Sequence, residues 1–330
     1  MKSPVEEKQK REPGKANSTE EVLELLEAGE ISASEAFVLF QKLDRTEAQN
    51  GRAEVDSSDW KRLEEAMQEL DSLIGLESVK KLVKELGAFV QIQKKRAEQQ
   101  LATEPLVLHM VFKGNPGTGK TTVARILGKI FREMGVLPKG HLVEVERADL
   151  VGEYIGHTAQ KTREQLERAM GGILFIDEAY SLARGGEKDF GKEAIDTLVK
   201  SMEDNKENLL LILAGYMKEM DWFLRSNPGL RSRFPIHIEF PDYTAEELMK
   251  IADLMLKRRQ YRLTPGARQK LAGILRRQAS MVGDKKGNAR DVRNIIEQAI
   301  RSQAVRLVDK PKLTREELIL ITEDDIEEVS

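Results

Sequence analysis

The chain has 330 residues, a length that suits about two domains and a sizeable buried core. Lys plus Arg number 53 against 56 Asp plus Glu, a net charge of −3, which removes any composition-level case for a nucleic-acid-coating or strongly membrane-attracted protein. With no cysteine there is no disulfide framework, thiolate metal site or cysteine nucleophile, and 5% aromatics with 33% charged residues suit a helix-rich fold with solvated faces.

Residues 1–17 are charged, contain Pro4 and Pro13, and have Val5 as their one β-branched apolar side chain. That area is too small to offset the entropy of ordering, so a disordered tail is expected. No apolar run follows the charged N-terminus. The longest uncharged stretch, Asn208 to Met217, falls far short of the roughly 20 residues of a membrane helix. A cytoplasmic protein without signal or span is therefore expected. Ser18 with Glu21, then Ser32 with Glu35, are capping-box pairs ahead of Val22, Leu25 and Leu26 and of Phe37, Phe40 and Leu43. They predict an N-terminal helical hairpin over 18–46, too small for a stable core alone, with a partly helical tether as the alternative. Residues 47–58 are polar and read as a linker.

A Leu/Met/Glu-rich helix is expected from about Asp59 toward Leu70. Apolar runs at 106–113 (LVLHMVFK), 142–146 (LVEVE), 173–177 (ILFID), 209–215 (LLLILAG) and 236–240 (IHIEF) then alternate with helical patterns. Such alternation predicts an α/β domain over 59–240 with a parallel five-stranded sheet covered on both faces. Strands are expected to stop at Phe240, leaving a small helical lid domain over 241–330. Within it Thr244 with Glu247 starts one helix and Thr264-Pro265 another. Val292, Ile295, Ile296, Ala299, Ile300, Ala304 and Leu307 form the stripe of a third.

Gly114, Asn115, Pro116, Gly117, Thr118, Gly119, Lys120 and Thr121 satisfy G-x-x-x-x-G-K-[ST] between a strand pattern and a helix pattern. Glycines let the backbone wrap phosphates, and the amides of the loop and helix N-terminus face negative charge. Lys120 reaches β- and γ-phosphates in this reading, Thr121 ligates Mg²⁺, and Thr122 belongs to the same turn. In ILFIDE, four apolar residues bury a strand and deliver Asp177 and Glu178 to its carboxyl end, where open α/β sheets bind ligands. Asp177 suits the Mg²⁺ shell. Glu178 suits a base for water, which points to a hydrolase rather than a kinase.

Beyond these motifs the chain resembles the AAA+ ATPases, and within them the group that contains stage V sporulation protein K and the red-type rubisco activases. The resemblance runs from about Leu70 to Ile321. It rests on Leu73-Ile74-Gly75-Leu76, similar to the segment that packs on the adenine and placing Ile74 and Gly75 in the nucleotide site. It rests also on Arg147 to Gly156, similar to a second strand's exit and pore loop; on Asp177 to Leu182, similar to an extended Walker B; on Asn227 to Phe234, similar to an arginine-finger region; and on Gly287-Asn288-Ala289-Arg290, similar to the sensor 2 motif of the lid.

Each stretch has a physical reading as well. Arg233, just ahead of the last strand, can project toward a neighbouring active site, and a guanidinium there stabilises charge on a transferring phosphate. Arg231, two residues away, is the alternative. Arg290 at the start of a lid helix contacts the γ-phosphate from its own subunit, with Arg293 read as structural. Tyr154, Ile155 and Gly156 put an aromatic on a flexible loop that can grip an extended peptide, the alternative being a Tyr packed on its own domain. Where many relatives carry a polar sensor 1 residue this chain has Ala214-Gly215-Tyr216, so Tyr216 is either that sensor or a buried structural Tyr. The four histidines lack ligand spacing, so no metal site of their own is expected.

The resemblance implies an ATP- and Mg²⁺-dependent homo-oligomeric ring, a hexamer, that remodels a protein client in endospore development. A rubisco activase-like remodeller is the nearer alternative, and a switch or loader for nucleic-acid machinery the further one.

Overall fold

The computed structural model describes residues 57–103, 107–154, 156–184, 189–206, 208–280 and 286–327, together with Glu21, Val22, Leu25, Ile31 and Leu39. The chain divides into two units, residues 1–69 and 70–330. In the first, Val22, Ile31 and Leu39 are buried, and helix α1 (Ser57–Asp71), whose last two residues belong to the second unit, buries Leu63, Ala66 and Met67 at helical spacing. Most of the expected tail, hairpin and linker lies outside the described residues.

The second unit holds the sheet. Helix α2 (Glu77–Glu98) precedes β1 (Met110–Gly114), α3 (Lys120–Glu133), β2 (Leu142–Val145), the short α4 (Arg147–Leu150), α5 (His157–Ala169) and β3 (Ile173–Ile176). A 3-10 turn (Ala179–Ala183), α6 (Gly191–Asp204), β4 (Leu210–Gly215), α7 (Met217–Ser226), the short α8 (Pro228–Arg231) and β5 (Ile236–Phe240) follow. The strands run in the order β2-β3-β4-β1-β5, all pairs parallel, with Met110 opposite both Ile212 and Ile236 and Phe175 opposite Ile212. The three central strands, β1, β3 and β4, are covered on both faces and buried throughout, whereas the edge strands β2 and β5 alternate, with Glu144, His237 and Glu239 exposed. On one face Val111, Leu174, Ile176, Leu211 and Leu213 meet Leu166, Ile195, Leu198 and Phe223. On the other the Phe112 ring packs 4.9 Å from Phe240 and 6.4 Å from Phe175.

The first strand is shorter than its apolar run. It begins at Met110 because His109 has turned its side chain into the ladder: His109 Nδ1 accepts the Leu211 amide at 3.1 Å, where a main-chain carbonyl would otherwise serve.

After Phe240 come α9 (Ala245–Arg258), β6 (Arg262–Leu263), α10 (Pro265–Ser280), α11 (Ala289–Val308), α12 (Arg315–Ile319) and β7 (Leu320–Ile321). Thr244 and Glu247 form the expected capping box, and Pro265 opens α10 with Thr264 Oγ1 accepting the Ala267 amide at 3.3 Å. Two expectations are corrected here. Strands do not end at Phe240, since β6 and β7 form a short parallel ladder, too brief for periodicity to reveal. On α11 Ala304 is exposed and Gln303 is buried, because its Nε2 donates to the carbonyls of Glu317, Leu318 and Leu320 and ties down the turn after α11. Among the described residues no helix is long and apolar enough to cross a membrane.

Candidate active site

The carboxyl ends of β1, β3 and β4 open into one cleft of about 410 Å³, bounded on its far side by the lid. Gly114, Pro116, Gly117, Gly119, Lys120, Thr121 and Thr122 line it from the loop, Asp177 and Glu178 from β3, Gly215 and Tyr216 from β4, and Arg290 from α11. Leu73, Ile74, Leu76, Ile251, Leu254 and Met255 supply an apolar half, the shape and polarity a purine base needs. Gly75, Asn115 and Thr118 lie behind this lining. Gly75 packs on Glu247, Asn115 donates its amide to Asp242, and the buried Thr118 hydroxyl donates to the Asn115 carbonyl at 2.8 Å.

Gly119 precedes Lys120 with φ +98°, and no side chain caps α3, so the first-turn amides have no side-chain acceptor and face the cleft. Lys120 Nζ donates to the carbonyls of Gly114 and Asn115 at 2.8 and 2.9 Å. Burial pulls the Lys120 pKa down; Asp177 and Glu178 push it back up, and Arg290 lowers it further. Thr121 Oγ1 donates to Glu144 Oε1 on β2 at 3.3 Å. Asp177 receives the Glu178 amide on Oδ1 at 3.0 Å, and Glu178 is held at φ +48°, ψ +42°, a left-handed geometry rare for a side-chain-bearing residue. That turn aims Glu178 out of the strand direction and into the cleft. Behind it Tyr180 is buried, its ring 6.2 Å from Tyr216, and burial lifts its hydroxyl pKa to about 12.

Lys120, Arg258, Arg290 and Arg293 set four cations in this lining against the two carboxylates Asp177 and Glu178. The excess favours an anion, and the uncapped helix start beside glycine turns is the cradle a polyphosphate fits. Thr121 and Asp177 are oxygen donors only, the set that suits Mg²⁺ sharing phosphate and water ligands.

Arg233 is not part of this cleft. Its Nη1 donates to Gly229 O at 2.8 Å, its Nη2 pairs with Glu203, and its Nε is buried without a hydrogen-bond partner. Arg231 is exposed. Tyr154 is 65% exposed at the tip of the loop before α5, and its ring meets His157 edge-on at 5.5 Å. The base of that loop is fastened: Thr158 Oγ1 accepts the Gly152 amide at 3.0 Å and Thr162 Oγ1 donates to Leu150 O at 3.1 Å. Gly156 turns at φ +85° in open space, and Ile155 lies outside the described residues.

Residues 110–242 match the family described as "ATPase family associated with various cellular activities (AAA)", and residues 244–330 match the AAA lid domain. Among curated proteins, stage V sporulation protein K of Bacillus subtilis is 57% identical over 265 residues, covering 80% of this chain and 82% of that protein. The chain belongs to the AAA family of ATPases. Protein CbbX of Cereibacter sphaeroides is 48% identical over 282 residues, covering 83% of this chain and 89% of that one. The chloroplastic ribulose bisphosphate carboxylase/oxygenase activase of Cyanidioschyzon merolae is 46% identical over 269 residues, covering 80% and 91%. Among solved structures, a point mutant of Thermotoga maritima RuvB superposes with a TM-score of 0.51 at 22% identity, covering 78% of this chain and 69% of that one, which speaks to the fold alone.

As an AAA ATPase the chain binds nucleotide and hydrolyses ATP. Two residues of its cleft, Arg293 and Arg258, and one that bonds its lining, Glu144, carry no weight in the motif reading. Arg293, read from the sequence as structural, lines the cleft with Arg290; the three-residue spacing that puts both on one helix face was the available signal. Glu144 reaches Thr121 because strand alternation turns it outward between Val143 and Val145. Arg258 joins from the end of α9, a meeting that only the lid's fold creates.

Proposed function

We propose that this protein is a Mg²⁺-dependent ATPase that assembles into a ring, a hexamer by family resemblance, and spends hydrolysis on pulling a protein client through its Tyr154 loop. Residues 59–240 form the nucleotide-binding domain and 241–330 the lid, with the 18–46 hairpin left to a partner or another subunit. One observation carries the reading: Lys120, Asp177, Glu178 and Arg290 line a single cleft, while Arg231 and Arg233 lie outside it, on the segment ahead of β5. Arginines that stand outside the cleft of their own chain, just ahead of β5, suit a finger offered to a neighbour's site.

The amides of the loop and of the first turn of α3 hold the phosphates, and Lys120 leaves the loop carbonyls for the β- and γ-phosphates. Thr121 and Asp177 would hold Mg²⁺, which would screen phosphate charge. Glu178 accepts a proton from water as the water oxygen bonds to the γ-phosphorus and the bridging oxygen leaves with ADP. Arg290 from the same subunit and Arg233 from the next offset the charge on the transferring phosphoryl group; Arg231 is the alternative finger. Tyr216 stands at the sensor 1 position with Tyr180 behind it. The lid angle then follows nucleotide state and moves the Tyr154, Ile155, Gly156 loop, whose exposed ring grips an extended chain by non-directional apolar contact.

The relative named for stage V of sporulation supports a role in endospore development, in the cytoplasm. The rubisco activase-like relatives favour a second reading, in which a sugar phosphate alters the ATPase rate. Mixing tests the shared site. Arg233→Ala alone hydrolyses almost nothing, and adding Glu178→Gln subunits, which bring an intact Arg233, restores activity; no recovery at any ratio refutes the shared site. Client-stimulated ATPase is lost in Tyr154→Ala, and unchanged client action there refutes the grip.

A further inference from the structure

We infer that Asp242 and Asn288 form a clasp that positions Arg290, joining the phosphate loop to the first turn of α11. The inference rests on the reading of Arg290 as the cation that meets the γ-phosphate. Asp242 lies just past β5, where the chain leaves the sheet for the lid. Its carboxylate gathers two side-chain amides, one from the loop and one from the lid: Asn115 Nδ2 donates to Oδ1 and Oδ2 at 2.9 and 3.2 Å, and Asn288 Nδ2 donates to Oδ1 at 2.9 Å. Lys286 Nζ stands 3.5 Å from Oδ2. A carboxylate is the one side chain that accepts from three such donors at once.

Asn288 is 5% exposed and has φ +52° with ψ −129°, a backbone region that L residues rarely adopt. Its side chain accounts for that geometry. Oδ1 accepts the Tyr243 amide at 3.0 Å, and Nδ2 reaches both Asp242 and, at 3.3 Å, the Pro116 carbonyl. Two more bonds close the same junction: the Ala289 amide donates to Gly117 O at 3.2 Å, and the Tyr243 hydroxyl donates to Thr118 O at 3.2 Å. Arg290 is two residues from Asn288, so its approach to the cleft is set by contacts to the phosphate loop itself. Asp242 and Asn288 are positioning residues; neither is among the residues lining the cleft.

The clasp is tested in the full chain by exchanging donor and acceptor. Asn288→Asp sets two carboxylates face to face, with Lys286 as the cation beside them and Asp291, which accepts the Gly287 amide at 2.9 Å, the further acid on that turn. Misplacing Arg290 in this way lowers kcat by about 100-fold with a much smaller change in ATP affinity, the usual scale for a misplacement of about 1 Å. The loss eases as pH falls, because the paired carboxyls then share a proton that restores the missing donor. In Asn288→Asp with Asp242→Asn, the amide introduced after β5 donates to the carboxylate introduced on the lid and still accepts from Asn115, so kcat recovers at least about tenfold over the single variant and the pH dependence disappears, the bond to the Pro116 carbonyl alone staying lost. Wild-type kcat and pH profile in Asn288→Asp, or a double variant no better than the single one, overturns the clasp. Arg290→Ala run alongside separates the two levels: wild-type turnover there removes the reading of Arg290 and the clasp with it, whereas lost turnover there with an unaffected Asn288→Asp removes the clasp alone.

Discussion

At Gly117 the phosphate loop lies directly against the lid, and Gly117→Ala puts a number on that approach. Gly117 sits at φ +73°, and a Cβ on it would lie 2.1 Å from Gly287 O, 2.8 Å from Arg290 N and 3.2 Å from Ala289 N. All three are backbone atoms, so no side chain can swing away. Restoring ordinary contact requires the first turn of α11 to withdraw by more than about 1 Å, which breaks the Ala289 amide bond to Gly117 O. The left-handed conformation adds about 1–2 kcal/mol for a residue with a Cβ. Since a 1 Å misplacement at a reacting centre costs on the order of 100-fold, kcat for ATP should fall by about that factor. The assay is steady-state ATPase with hydrogen exchange over residues 286–292. Gly119→Ala is the comparison: Gly119 is equally left-handed at φ +98°, but its Cβ would meet Tyr243 Oη at 3.4 Å and a Leu76 methyl at 3.6 Å, ordinary contacts. Exchange at the lid turn should therefore rise in Gly117→Ala and stay at the wild-type level in Gly119→Ala. Wild-type turnover and lid protection in Gly117→Ala would refute the claim that this contact belongs to the working state.

His109 titrates in the folded core at about 4, below its ordinary 6.5, because burial outweighs its hydrogen bond to the Met202 backbone. A depressed histidine contributes stability that is full above about pH 6.5 and is lost as pH falls toward about 4, some 3 kcal/mol in order of magnitude. His109→Asn, which keeps an acceptor for the Leu211 amide, should flatten the fall in melting temperature between pH 7 and pH 4.5, and an unchanged slope counts against the assignment. The Arg233 side chain is 30% exposed and Glu203 59%, so their ion pair is worth at most about 1 kcal/mol, and Glu203→Gln should change the ATPase rate by less than about fivefold. A rate near zero there would make Glu203 part of the chemistry. In the lid Asp325 is 1% exposed, pairs with Arg306 Nε and Nη2 at 2.8 and 2.7 Å, and accepts the Thr322 amide at 2.7 Å. Asp325→Ala removes the two-point partner of Arg306, which is 30% exposed and still feels Asp324 and Glu317, and should cost about 1.5–3 kcal/mol, read as early loss of lid protection in urea.

Much of this protein was legible in its residues one stretch at a time. The loop from Gly114 to Thr121, the strand that ends in Asp177 and Glu178, the parallel α/β order and the Thr244–Glu247 helix start are local patterns, because each depends on hydrogen bonds or burial within a few residues of chain. What periodicity could not supply were relations between distant segments. His109 shortens β1 by capturing an amide 102 residues away, Gln303 outcompetes Ala304 for the interior because carbonyls after α11 need its donors, and Arg258 enters the cleft only once α9 folds beside the loop. The same holds for Asp242, unremarkable in sequence, which receives Asn115 from 127 residues before it and Asn288 from 46 after. Side-chain chemistry chose which groups could bind phosphate and move a proton. Chain folding chose which of them meet, since a buried polar atom takes whichever partner the packed elements bring within reach.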